Sequence, residues 1–211
     1  MTGVLDRLAV ARIVPVIVLD DAADAGPLAD ALLAGGIDCA EITLRTPAGL
    51  AAVQALAHRD DILVGAGTVL TAAQTDEAVA AGARFVVSPG LGLDVVHRAQ
   101  RLGVTVLPGV ATATELQAAA AAGLVAVKFF PAGALGGLGM LNALAGPFPG
   151  MRFMPSGGVT AENASDYLAH PSVFAVGGSW MVPRALIGAG RFAEITALCR
   201  RTVDALAVPR G

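Results

Sequence analysis

Short apolar runs alternate with alanine-rich segments from position 13 onward. The runs at 14–19, 39–44, 62–65, 85–88, 105–107, 125–129, 152–155 and 173–176 predict eight strands. They are short, bounded by turn residues and apolar on both faces, as buried parallel strands are, although periodicity alone does not separate them from short buried helices. The intervening segments close on Gly35, Gly82, Gly103 and Gly123, each placed where a helix needs a left-handed terminator before the next strand. Thr71, Thr112 and Thr160 stand at N-cap positions after the third, fifth and seventh runs. Eight such units, with an extra N-terminal helix around 5–11 as plug or lid, predict a single (β/α)8 TIM barrel spanning 1–211. A doubly wound open sheet is the alternative that the same alternation permits. No linker, repeat array or low-complexity tract marks a second domain.

Composition narrows the function classes. The chain has 211 residues, 55% hydrophobic and 15% charged, with a net charge of -3. That is ample for one core, and it leaves no broad basic face for a nucleic-acid backbone, so any anion is bound locally. The longest uncharged stretch, 129–151, holds six glycines and three prolines and cannot form a continuous membrane helix. Asp6, Arg7 and Arg12 precede a short apolar run broken by Pro15, which makes a poor signal peptide. A cytoplasmic protein with no membrane or nucleic-acid partner is expected. Cys39 and Cys199 are expected to be reduced, buried and structural.

The basic residues carry the strongest chemical signal. Lys128 is the only lysine, and the other thirteen basic residues are arginine. It lies in the apolar run Val125, Ala126, Val127, Lys128, Phe129, Phe130. Burial disfavours a charged ammonium, and a neutral amine is the nucleophile that a Schiff-base enzyme needs. The alternative is a lysine that snorkels to water from a strand end.

In a barrel, functional groups gather at the C-terminal ends of the strands. Glu41, Thr43 and Arg45 have the two-residue spacing that turns them to one face of the second strand. Arg45 suits a substrate carboxylate and Glu41 suits proton transfer beside the lysine, unless the two form only a structural ion pair. Thr68 follows the third strand, either capping the next helix or helping to hold that carboxylate, and Ser88, Pro89 and Gly90 follow the fourth. Ser156, Gly157 and Gly158 end the seventh strand; Gly177, Gly178 and Ser179 end the eighth. Glycine-rich turns at those two places suit a phosphate through exposed N–H groups, or serve only as tight turns. His58, His97 and His170 fall in or near helices, away from the strand ends. No His, Cys, Asp and Glu grouping has metal-ligand spacing, so neither metal nor cofactor is expected.

The segments EITLRT (41–46), GAGTVL (65–70), SPG (88–90), KFFPA (128–132), PSGGV (155–159) and GGSWMVP (177–183) resemble the bacterial 2-keto-3-deoxy-6-phosphogluconate (KDPG) aldolases, a family that overlaps with the 4-hydroxy-2-oxoglutarate (KHG) aldolases. The resemblance runs from about Val14 to Arg200 in the family's order. It implies a homotrimeric class I aldolase that cleaves a keto-acid sugar phosphate to pyruvate and glyceraldehyde 3-phosphate. It also implies Lys128 as the Schiff-base lysine, Glu41 as the acid/base, Arg45 and Thr68 at the pyruvate carboxylate with Pro89 beside them, and Gly157, Gly158, Gly178 and Ser179 at the phosphate. One departure stands out: threonine is common in the family where this chain has Ser156. Selectivity between 4-epimers is tied to that hydroxyl, so the galactonate epimer and unphosphorylated 4-hydroxy-2-oxoglutarate are the rival substrates.

Overall fold

The computed structural model describes residues 3–207, so both ends of the 1–211 span lie outside the described residues. The strands are β1 (Ile13–Ile17), β2 (Cys39–Thr43), β3 (Leu63–Gly67), β4 (Phe85–Val87), β5 (Thr105–Leu107), β6 (Gly109–Val110), β7 (Ala126–Phe129), β8 (Arg152–Pro155) and β9 (Val176–Gly178). The helices are α1 (Val4–Ala11), α2 (Ala25–Ala34), α3 (Ala48–Ala55), α4 (Ala72–Ala80), α5 (Leu93–Arg101), α6 (Ala113–Ala121), α7 (Gly137–Ala145), α8 (Ala164–Leu168), α9 (Arg184–Gly188) and α10 (Phe192–Ala207).

Every strand pairing is parallel, in two ladders ordered β5-β4-β3-β2-β1-β9 and β6-β7-β8. The predicted fifth strand is β5 over its full length, and β6 follows it beyond Pro108, which has no N–H for a ladder; the Pro108 carbonyl still accepts from Lys128 N at 2.9 Å. Bridges at Phe153↔Val173 and Ser156↔Gly177 join the second ladder to β9 and the segment before it. The result is a curled, TIM-like parallel sheet with helices outside it.

β1 ends at Ile17, short of the expected 19, while two strands run past their expected C-terminal ends for one reason. The predicted run 173–176 becomes β9 at Val176–Gly178, and the run 62–65 extends to Gly67. Apolar patterning ignores glycines, yet Gly177 and Gly178 pair with Val14 and Pro15, and Gly67 pairs with Thr43.

The helix ends hold two corrections. Thr71 and Thr112 cap α4 and α6 by accepting from Gln74 N and Glu115 N, but Thr160 caps no helix. Instead α8 starts at Ala164, and Asn163 Oδ1 accepts from Thr160 N at 2.8 Å. Gly82, Gly103 and Gly123 are left-handed as expected, whereas after α2 that role falls to Gly36 (φ +87°). Gly35 serves packing: a Cβ there would lie 2.3 Å from Cys199 Cβ on α10.

Leu8 on α1 is fully buried, and α1 leads through Arg12 straight into the start of β1. The helix therefore plugs the N-terminal end of the barrel, opposite the strand ends that carry the candidate chemistry. No helix among the described residues is long and apolar enough to cross a membrane.

Candidate active site

Glu41 and Lys128, 87 residues apart in sequence, meet inside the barrel. Glu41 projects inward from β2 and Lys128 from β7, and Nζ donates to Oε1 at 3.3 Å. The two side chains are only 0% and 7% exposed. Glu41 therefore pairs with Lys128, and among the described residues no ion pair joins it to Arg45. Its second oxygen, Oε2, is buried without a hydrogen-bond partner among the described residues. Such an orphan is costly in a core and calls for a functional account. Gly67 makes room for the carboxylate, since a Cβ there would lie 2.3 Å from Glu41 Oε1. The Phe130 ring centre lies 5.1 Å from Lys128 Nζ and favours positive charge on that nitrogen.

Above the pair opens a cavity of about 360 Å³, lined by Glu41, Arg45, Thr68, Pro89, Lys128, Ser156, Gly157, Gly158, Gly178 and Ser179. The residues to which the sequence assigns a catalytic or substrate-binding role thus reach one space, whereas Ser88 and Gly90 on either side of Pro89 line a neighbouring one. Arg45 is not on the strand: β2 ends at Thr43, whose hydroxyl donates to Ile17 O at 2.8 Å, and Arg45 stands in the following turn. The turn frees the long side chain from the pleat and leaves it exposed at the rim. Thr68 caps no helix either, because Thr71 does that. It sits at φ +59°, a left-handed backbone that is strained for a β-branched residue and costs about 1–3 kcal/mol, as is found at sites where geometry serves function.

The two glycine turns form the opposite wall. Gly157 and Gly158 have φ of +79° and +87°, and the loop after β7 clamps them, with Ala132 N donating to Ser156 O at 2.9 Å and Gly133 N to Gly157 O at 2.8 Å. A Cβ at Gly178 would lie 1.9 Å from Trp180 Cζ3, so the indole packs directly on that turn. Trp180 is in turn anchored through Nε1 to Thr202 Oγ1 at 3.0 Å, tying the turn to α10. Ser156 is buried behind Gly177. The arrangement offers an amine with a proton acceptor, a guanidinium and hydroxyl on one side, and a glycine-lined recess on the other.

Sequence reasoning missed Val16, Phe130 and Val159, which also line the cavity, as does Gly177 at the end of the eighth predicted strand. Phe130 was within reach, since it lies two residues after Lys128 on the same apolar run. Val16 faces the site because it is paired in register with Glu41, a fact of the ladder that no residue type signals. His58 and His97 are exposed, and His170 Nδ1 accepts from Ser172 N at 3.1 Å in a local turn. Both cysteines are buried and free; burial pushes the Cys39 thiol up and the Cys199 thiol up to about 12, which keeps them unreactive. Among the described residues no three His, Cys, Asp or Glu side chains are grouped to hold a metal ion.

A family model described as KDPG and KHG aldolase matches residues 4–198. The 2-dehydro-3-deoxy-phosphogluconate aldolase of Treponema pallidum is 47% identical over 209 residues, covering 99% of this chain and 100% of the relative. The KDPG aldolase of Legionella pneumophila, solved with pyruvate captured as a covalent carbinolamine intermediate, superposes with a TM-score of 0.90 at 44% identity, covering 94% of this chain and 97% of that one. The enzyme of Zymomonas mobilis ZM4, solved with 3-phosphoglycerate, gives a TM-score of 0.89 at 43% identity over 98% of this chain and 97% of that one.

Proposed function

The chain belongs to the KDPG and KHG aldolase family, and from that premise we propose that one barrel domain runs a Schiff-base aldol cleavage at Lys128. The protein is a class I aldolase that cleaves 2-keto-3-deoxy-6-phosphogluconate to pyruvate and glyceraldehyde 3-phosphate and also acts on 4-hydroxy-2-oxoglutarate. The observation that carries the reading is the buried contact between Lys128 Nζ and Glu41 Oε1, 3.3 Å apart beneath an open cavity.

In a buried pair one proton serves both groups, and its transfer to Glu41 frees the amine without changing the net charge. The amine adds to the C2 ketone, Glu41 returns the proton to the oxygen, and water leaves the carbinolamine to give an iminium. The Phe130 face stabilises that cation. The iminium then accepts the electron pair of the C3–C4 bond as Glu41 takes the 4-hydroxyl proton. Glyceraldehyde 3-phosphate departs and the enamine of pyruvate remains on Lys128. Protonation at C3 and addition of water release pyruvate and restore the amine. Arg45 and Thr68, with Pro89 beside them, hold the carboxylate. Gly157, Gly158, Gly178 and Ser179 receive the phosphate, whose binding energy positions the reacting bond. Ser156 stands beside this path and is assigned to 4-epimer discrimination. The protein works in the cytoplasm as a homotrimer, without metal or cofactor.

Incubation with pyruvate and borohydride tests the reaction class: one reduced pyruvate per chain, mapped to Lys128, is expected. Labelling elsewhere, or none under turnover conditions, removes the mechanism. Kinetics with the gluconate and galactonate epimers then test the substrate, and sedimentation tests the trimer.

A further inference from the structure

Three cations line the site and the space beside it: Lys128, Arg45 and Arg184. The first is committed to the imine and the second to the carboxylate. The phosphate recess itself offers only neutral donors, the backbone of the two turns and the Ser179 hydroxyl. Arg184 belongs to a second cavity of about 160 Å³, which it lines together with Val16, Arg45 and Ser179, the same residues that line the main one. The two spaces therefore adjoin at the serine of the phosphate turn.

Arg184 stands at the start of α9, and its guanidinium is turned onto Asp20 in the segment that follows β1. Nε donates to Oδ2 at 2.7 Å and Nη2 to Oδ1, a two-point grip of the kind a phosphate also offers. Both side chains are more than half exposed. An exposed pair contributes little to stability, so exchanging its carboxylate for a dianion costs the fold little. The hydrogen bond from Arg184 also holds the Asp20 carboxyl below its usual range, so Asp20 is ionised at neutral pH and competes for the same guanidinium.

We propose that Arg184 is a specificity residue for the distal phosphate, released from Asp20 when a phosphorylated substrate occupies the recess. Asp20 acts as a resident competitor that sets how strongly phosphate is preferred. The inference rests on the phosphate-recess reading above and adds a charge to it. In 4-hydroxy-2-oxoglutarate the distal carboxylate is attached directly to C4, where the sugar phosphate continues through two carbons and an ester oxygen. The shorter substrate ends before the rim.

The test compares kcat/KM for the phosphorylated keto acid and for 4-hydroxy-2-oxoglutarate in the wild type, Arg184→Gln and Asp20→Asn, with inorganic phosphate as a competitive inhibitor. Arg184→Gln should lower the ratio of the two specificity constants about tenfold and weaken inhibition by phosphate, the effect of losing one bond to a charged group. Asp20→Asn should shift both quantities the other way. A strut joining two loops would lower the melting temperature equally in both variants and leave the ratio unchanged. An unchanged ratio in Arg184→Gln, or the same direction of change in both variants, overturns the proposal while the recess stands. A wild type that cleaves only the unphosphorylated substrate overturns the recess and this inference together.

Discussion

The floor of the cavity and its rim are built on opposite principles. At the floor, Glu41 and Lys128 are buried, ionisable and fixed by strand pairing, with Val16 and Gly65 in register beside Glu41 and Met154 beside Lys128. At the rim, Gly157, Gly158, Gly178 and Ser179 are neutral and act largely through backbone, and their shape depends on left-handed turns and on Trp180. A covalent reaction needs two side chains that cannot drift, and only the barrel interior supplies that. A phosphate needs several donors converging on a point, and turns supply that. Damage to the floor should therefore abolish chemistry, whereas damage to the rim should alter substrate preference.

The sharpest way to break this division is Lys128→Ala. With no other lysine in the chain, it should lose borohydride-trapped pyruvate entirely and fall to background turnover, while substrate analogues still bind. Residual trapped pyruvate, detected by intact mass, would move the chemistry away from the floor. Next comes Glu41→Gln, which keeps size and removes the proton carrier. Turnover should fall about 10²- to 10⁴-fold with little change in pyruvate affinity. If activity survives, the contact with Lys128 is structural.

At the rim, Gly158→Ala forces a side chain onto a φ of +87° and to within 2.9 Å of Gly133 Cα. It should cost on the order of 1–3 kcal/mol in a denaturant titration, and it should harm cleavage of the phosphorylated substrate most. The smallest change is Ser179→Ala, which removes one donor to a charged group. The preference for phosphorylated over unphosphorylated substrate should fall roughly tenfold. Equal loss on both substrates would join the rim to the floor and end the comparison.

Much of this is legible in the sequence alone, because a parallel barrel writes its plan locally. Buried strands must be short and apolar, and helix ends need threonine caps or left-handed glycines, so the fold class and the candidate strand ends could be read from residue types. A lone lysine in an apolar run, and glycines after the seventh and eighth strands, are local signals too. Other features were decided only by tertiary contact. Pro108 separates the fifth strand from β6, since a missing N–H matters only where a ladder passes. Gly35 packs on Cys199 while Gly36 takes the left-handed turn, and the sequence does not say which does which. Arg45 lies beyond its strand in a turn, and Glu41 pairs with Lys128 across the barrel with no ion pair to its sequence neighbour. These are long-range outcomes. Residue type fixes what a side chain can do, but partners drawn from strands 87 residues apart are fixed by closure of the sheet, which no local pattern encodes.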